Sequence, residues 1–344
     1  MTLLIRDEDI SKILTFEDTI EALEDAFRQY GLGLAGGNSL KHSCLPPPRC
    51  EIRSEGKGLP HMSRQIRCLE QSAAYLKETN MAFLRWGFHF GNRKGNIAYL
   101  IDAKNGEILV VIKNPFSAQR MRTGVEGAVA AKYLSRKDSR IVGVLGTGTQ
   151  GKAQLEYLSR VRDIERAFAF SGRRKNVDYA AEMSKKLGIE VIPCDGAEEV
   201  VRKADILIAA TMATSPIVKG DWIREGLHIN SIGSDDPVKG ELDSLTLKKA
   251  DKIVIDDCEM APGTMDIRVA MEQGILTARD IYGTIGEIVA GVKPARETSS
   301  EITIYRSVGT TIPYVAMYAR IYEKAKRMGL GVEIDQSFVD LIYS

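Results

Sequence analysis

The stretch that most constrains this chain is "RIVGVLGTGTQGKAQLEYLSR", which begins at Arg140. Branched apolar residues from Arg140 to Leu145 read as a buried strand. They empty into Gly146-x-Gly148-x-x-Gly151, and a helical pattern follows to Arg160. Three glycines at this spacing do three separate things: the first permits a tight turn, the second lets a ligand approach the backbone, and the third allows close helix packing. Alone the pattern is a weak signal, because glycine is common in turns. Its context decides.

From Asp138 onward strands and helices alternate. Further strands are expected at 166–170, 190–193, 205–211, 228–232 and 252–255, and helices near 177–187 and 244–249. Such alternation folds into a parallel, doubly wound sheet. At the head of that sheet, the glycine turn becomes a dinucleotide site, with pyrophosphate on the unpaired amides of a helix N-terminus. The alternation ends near Arg306, and "IPYVAMYARIYEKAKRMG" reads as a C-terminal helix that folds back on the first part of the chain.

The preceding region has a different texture. A helix is expected from Thr15 to Tyr30, with Thr15 as its cap, Asp18 completing the cap, and Gly31 as its stop. From Asn38 to about Met81 the pattern is poor, and "LPPPR" and "SEGKGLP" read as loops. "MAFLRWGF" is a strand, and two more in "NIAYLIDAKNGEILVVI" turn through Asn105-Gly106. "RTGVEGAVAAKYLSR" is a helix of small residues that must pack closely, with Thr123 able to cap it.

Charge and composition narrow the function. The chain of 344 residues is long enough for two domains, and 47 Lys+Arg against 46 Asp+Glu leave no field to attract nucleic acid or a membrane surface. No apolar run reaches membrane-spanning length, and the charged "MTLLIRDEDI" does not resemble a signal peptide. Five scattered cysteines without a C-x-x-C pair suit free thiols in a reducing cytoplasm. Four histidines without ligand spacing give no metal site.

Dinucleotide type is read at the end of the second strand, where NAD sites usually place Asp or Glu about 20 residues after the glycines. Here the sequence is "FAFSGRRKN": Ser171, then Arg173 and Arg174. A carboxylate would repel a 2′-phosphate, whereas guanidinium groups grip it, so NADP(H) is expected over NAD(H).

Several stretches together resemble the ornithine cyclodeaminase/mu-crystallin family over almost the whole chain. They are Arg122-Thr123-Gly124 before "AVAAKYL", the "GTGTQG" turn, "HINSIGSDDPVKGELD" from His228, "TIGEIVAG" from Thr284 and "SVGTTI" from Ser307. The resemblance implies an α/β fold in which a Rossmann-type domain, residues 136–309, is inserted into a smaller α+β substrate and dimerisation domain, residues 1–135 plus 310–344. It also implies a homodimer, a small-molecule substrate, and NAD(P)-dependent chemistry at the Cα–N bond of an amino or imino acid. Its alternatives are a cyclodeaminase that recycles its cofactor and a small-molecule binding protein.

By the same resemblance, Asp235 matches the catalytic acid/base, and Arg122 matches the arginine that holds the substrate carboxylate. The cofactor set is Thr123, Gly146, Thr147, Gly148, Thr149, Gln150, Gly151, Ser171, Arg173, Arg174, Thr211, Ser307, Val308 and Gly309. The departures fall around the substrate. Arg85 of "FLRW" stands where the family carries a lysine; it stays protonated, so in the catalytic site it holds an anion but is no base. The second family arginine meets Pro60, with Arg64 or Arg53 as substitutes. "FDS" reads Tyr305-Arg306-Ser307, and a later aspartate falls at Tyr314.

Overall fold

The computed structural model describes residues 2–37, 41–45, 67–90, 93–172, 175–233, 238–259 and 261–335. The first sheet begins at the N-terminus with β1 (Thr2–Arg6), followed by helices α1 (Ile10–Ile13) and α2 (Phe16–Gly31). Thr15 caps α2 as expected: its hydroxyl accepts from the Asp18 amide, and Asp18 accepts from the Thr15 amide. Next come β2 (Ala35–Gly37), β3 (Lys41–Leu45), β4 (Arg67–Leu76), β5 (Met81–Phe90), β6 (Arg93–Asp102) and β7 (Ile108–Lys113).

Gly106, at φ +80°, turns β6 into β7 as the Asn-Gly pair predicts. β4 to β7 form an antiparallel meander, and β1 joins β7 in parallel. Four of these strands depart from the sequence expectation. β1 is short and pairs with residues over a hundred positions away, β2 is only three residues long, and β3 and β4 lie inside the stretch read as loop. β1 is set by long-range pairing, which local periodicity does not reveal, whereas β4 forms a hairpin with β5.

Helix α3 (Phe116–Leu134) then crosses between the sheets. It begins six residues before Arg122, so Thr123 lies in the helix interior and caps nothing. The position before the helix is Pro115, which makes no side-chain cap. As expected, the helix packs closely: a Cβ at Gly127 would fall on the Gln154 side chain, and Asn230 Nδ2 donates to the Gly127 carbonyl at 2.9 Å.

The second sheet is parallel throughout. Its strands are β8 (Ile141–Leu145), β9 (Arg166–Phe170), β10 (Glu190–Pro193), β11 (Ile206–Ala209), β13 (His228–Ser231), β15 (Lys252–Ile255), β16 (Ile281–Thr284) and β17 (Thr303–Arg306); β12 (Thr214–Val218) and β14 (Gly240–Leu242) pair separately. The helices between them are α4 (Thr149–Leu158), α5 (Asn176–Leu187), α6 (Ala197–Lys203), α7 (Ser244–Lys249), α8 (Met265–Glu272) and α9 (Ile285–Val289). The order is β10-β9-β8-β11-β13-β17-β15-β16, so the direction in which successive strands are added across the sheet reverses between β8 and β11. In open parallel sheets, ligands bind at that crevice.

After β17 the chain returns through α10 (Ile312–Met328) to β18 (Val332–Ile334), which pairs with β1 and completes the first sheet. α10 lies on α2, β4 and β5, and its buried residues Val315, Tyr318 and Ile321 share one apolar core with Leu23 and Phe27 of α2 and Phe83 of β5. No helix among the described residues is long and apolar enough to cross a membrane.

Candidate active site

The glycine turn sits at the crevice. Gly146 has φ +99°, which a side-chain-bearing residue rarely adopts, and a Cβ there would fall on the Ala210 carbonyl at the end of β11. A Cβ on Gly151 would fall on the Gly146 carbonyl, so the first turn of α4 can close on β8 only as glycine. Gly148, before the first residue of α4, faces open space. The amides of that first turn are thus presented to a ligand at the positive end of a helix dipole. Thr147, Thr149 and Gln150 complete the turn, and Ser171 follows the last residue of β9. Arg173 and Arg174 lie outside the described residues.

A cleft opens beside this turn. It is lined by Arg85 from β5, Gln119, Arg122 and Thr123 from α3, Gln150 from α4, Ile232 beyond β13, Ser307 to Gly309, Thr311 and Tyr314. The structure therefore brings predicted anion holders and predicted cofactor residues into one space. Asp235 and Arg64 lie outside the described residues, as do Arg53 and Pro60.

The two arginines differ in their surroundings. Arg85 is buried, its Nε has no hydrogen-bond partner, and among the described residues it forms no ion pair. Its guanidinium lies 5.8 Å from the centre of the Tyr314 ring. Arg122 is also buried and lies 5.0 Å from the same ring, but Nη1 pairs with Glu126 Oε2 at 2.8 Å and Nη2 donates to the Thr310 carbonyl. Glu126 sits one helical turn beyond Arg122, which is why the two meet on one face of α3.

Behind Arg122 is a buried polar cluster that sequence reasoning missed. Glu126 Oε1 accepts from the Tyr305 hydroxyl, and Ser307 Oγ lies 3.0 Å from Glu126 Oε1 and 3.0 Å from Asp256 Oδ2. Asp256 also accepts from the amides of Val308 (2.9 Å), Gly309 (2.7 Å) and Thr310 (3.1 Å). The backbone amides of the predicted cofactor segment 308–309 are thus taken up by Asp256, which shapes the loop leading into α10. Burial pushes the Glu126 carboxyl up to about 7, with Arg122 pulling the other way. The only sequence sign of this cluster was an acid one turn after an arginine in an otherwise small, apolar helix.

A second cluster is built around Glu241. Glu241 accepts from the Thr211 amide (2.6 Å) and hydroxyl (2.8 Å), the Gly233 amide (3.0 Å) and Ser231 Oγ (3.2 Å). Thr211, expected at the cofactor, therefore spends its amide and hydroxyl protons on Glu241. Asp266 accepts from the Glu241 amide at 2.9 Å and faces Arg306, whose Nη1 donates to the Ser307 carbonyl at 2.8 Å. Burial lifts the Asp266 carboxyl to about 6. Arg306, where the family resemblance expected an acid, is thus a fully buried tie between the ends of β13 and β17 and helix α8.

A parallel sheet with a phosphate-ready glycine turn at its crevice, opening onto a cleft walled by two buried guanidinium groups, defines a dinucleotide-dependent oxidoreductase. The chain belongs to the ornithine cyclodeaminase/mu-crystallin family, whose model matches residues 2–329. It is 36% identical over 340 residues to an alanine dehydrogenase of Archaeoglobus fulgidus, covering 97% of this chain and 98% of that protein. The fold matches a Delta(1)-pyrroline-2-carboxylate reductase from Thermococcus litoralis in complex with NADH and L-proline, with a TM-score of 0.84, 34% identity, and coverage of 97% and 100%. An archaeal alanine dehydrogenase dimer with bound NAD matches equally well, with a TM-score of 0.84 and 34% identity over 97% of this chain and 99% of that one.

Proposed function

We propose that this protein is an NAD(P)-dependent oxidoreductase that interconverts an imino acid and the corresponding amino acid, with NADP(H) preferred. The observation that carries the reading is the pair of buried guanidinium groups, Arg85 and Arg122, in the cleft that also contains Gln150 of the glycine turn. An unpaired buried cation is costly, and a bound carboxylate is the group that relieves it. Similar proteins act on pyrroline-2-carboxylate and alanine, both α-carboxylates with nitrogen on Cα.

The residues fit a dinucleotide. Gly148 leaves open space over the helix N-terminus, and Gln150 Oε1 is a buried acceptor without a partner beside it. When bound there, the dinucleotide supplies or accepts the hydride. The chain does the rest. Arg85, Arg122 and Arg64 hold the substrate carboxylate and so fix Cα relative to the cofactor. Asp235 gives a proton to the imine nitrogen, or takes one from the amine in the reverse direction. Arg173 and Arg174, following Ser171, hold the 2′-phosphate. Residues 136–309 act as the cofactor domain, and residues 1–135 with 310–344 as the substrate and dimerisation domain. The protein assembles as a homodimer; Trp86 and Leu69, exposed on the neighbouring strands β5 and β4, support a contact there.

The test is a panel of cyclic and acyclic imino acids and amino acids with NADPH and with NADH, following cofactor absorbance and ammonia together. Stoichiometric cofactor use supports the proposal. Ammonia release without net cofactor change marks a cyclodeaminase, and neither signal marks a binding protein.

A further inference from the structure

Among the described residues, two guanidinium groups and two carboxylates lie buried in and behind the cleft wall: Arg85 and Arg122 against Glu126 and Asp256. In their ionised forms these four balance. A substrate carboxylate entering between the arginines would leave one excess negative charge in a space with little water to screen it. One proton removes that excess.

The hydrogen-bond geometry says where it would sit. Ser307 Oγ carries a single proton yet lies 3.0 Å from both Glu126 Oε1 and Asp256 Oδ2. With both acids ionised, one of these contacts sets an oxygen against an oxygen with no hydrogen between them. With a proton on Glu126 Oε1, every contact becomes a hydrogen bond: Glu126 donates to Ser307, Ser307 donates to Asp256, and Tyr305 still donates to Glu126. Asp256 already accepts from three backbone amides, so its oxygens face donors on the loop side as well as Ser307.

We propose that Glu126 is a positioning residue that takes up one proton from solvent when a substrate carboxylate binds, releasing Arg122 from its internal ion pair to hold that carboxylate. The inference rests on the carboxylate-holding cleft proposed above. The groups facing Glu126 from each element packed against it are Arg122 on α3, Tyr305 on β17, Ser307 in the following loop, Asp256 after β15, and, across Arg122, Tyr314 on α10. Arginine stays protonated, and burial pushes the Tyr305 hydroxyl well above its ordinary value, so neither changes charge near neutrality in a way that mimics Glu126.

The experiment uses the full-length protein saturated with NADPH and, as probe, pyrrole-2-carboxylate, a planar carboxylate with no other group titrating between pH 6 and 9. With Glu126 titrating at about 7, probe Kd rises about a hundredfold from pH 6 to pH 9, the expected result for one obligatory proton. Glu126→Gln, a neutral group of the same shape, binds with Kd independent of pH over that range. Calorimetry of the wild type at pH 8 in two buffers of different ionisation enthalpy reads the uptake directly, about one proton per probe bound, and does not depend on the variant folding. Flat wild-type affinity with no proton uptake overturns the proposal, as does a pH dependence that persists in Glu126→Gln. Failure of the probe to bind at any pH overturns the carboxylate cleft itself, and the Glu126 proposal with it.

Discussion

Replacing Arg122 with Met should produce a loss of stability that grows with pH. In the wild type, burial raises the Glu126 carboxyl from an ordinary 4.5 to about 7, with Arg122 as the largest opposing influence. Removing Arg122 drives it higher still. A carboxyl whose folded value is raised contributes stability that is fully present below its unfolded value and is lost as pH rises through the folded value. In the wild type that loss is complete soon after pH 7. In Arg122→Met it continues, at about 1.4 kcal/mol per pH unit, until the new value is passed.

Between pH 6 and pH 9 the variant therefore loses about 2–3 kcal/mol more than the wild type. At roughly 2–4 °C per kcal/mol, this widens its melting-temperature deficit by about 4–12 °C. The broken bond to the Thr310 carbonyl and the lost contact with Tyr314 add a deficit that does not vary with pH. Thermal melts of wild type, Arg122→Met and the double variant Arg122→Met/Glu126→Gln at pH 6, 7, 8 and 9 measure the slope. The double variant should return to the pH-independent deficit alone. Equal deficits for Arg122→Met at pH 6 and pH 9 would refute the coupling between the two residues.

Arg85→Met should behave oppositely in the free protein, because Arg85 has no ion pair among the described residues to lose. Its melting temperature should hold or rise, while carboxylate affinity falls about 10²–10⁴-fold, the worth of two charge-assisted hydrogen bonds at roughly 1.5–3 kcal/mol each; unchanged KM for the imino acid would remove it from the carboxylate site. Asp235→Asn keeps shape but exchanges no proton at neutral pH, and should lower kcat by about 10²–10⁴ with NADPH affinity intact; a variant that lost cofactor binding instead would make Asp235 structural. Fluorescence titration should give NADPH at least about tenfold tighter binding than NADH, with the difference erased in Arg173→Ser/Arg174→Ser; equal affinities in the wild type would refute the NADP(H) preference.

What could be read from the sequence was local. Gly146 and Gly151 announced themselves because the positive φ of the one and the close approach of its carbonyl to the other are demands met within a few residues. Thr15 and Asp18 likewise close a cap across one turn. β1 was hidden because its partners, Val110 to Lys113 and Val332 to Ile334, are far along the chain. Thr123 was misplaced as a cap because the helix signal was anchored on the small residues after Arg122, whereas the helix begins at Phe116. Tyr305 and Arg306 were visible as departures from a resemblance, but their partners were not. That Tyr305 meets Glu126 and Arg306 meets Asp266 depends on how β17 is threaded between β13 and β15.

In the proposed reaction, two buried arginines hold a carboxylate beside a dinucleotide so that hydride moves to or from Cα. The most direct measurement is the absorbance of NADPH on mixing with a cyclic 2-imino carboxylate, compared with the same ring lacking the carboxylate, in wild type and Arg85→Met. The expected result is stoichiometric NADPH oxidation without ammonia release for the carboxylate alone, lost in Arg85→Met at the same substrate concentration. Equal rates with and without the carboxylate, or full activity in Arg85→Met, would contradict it.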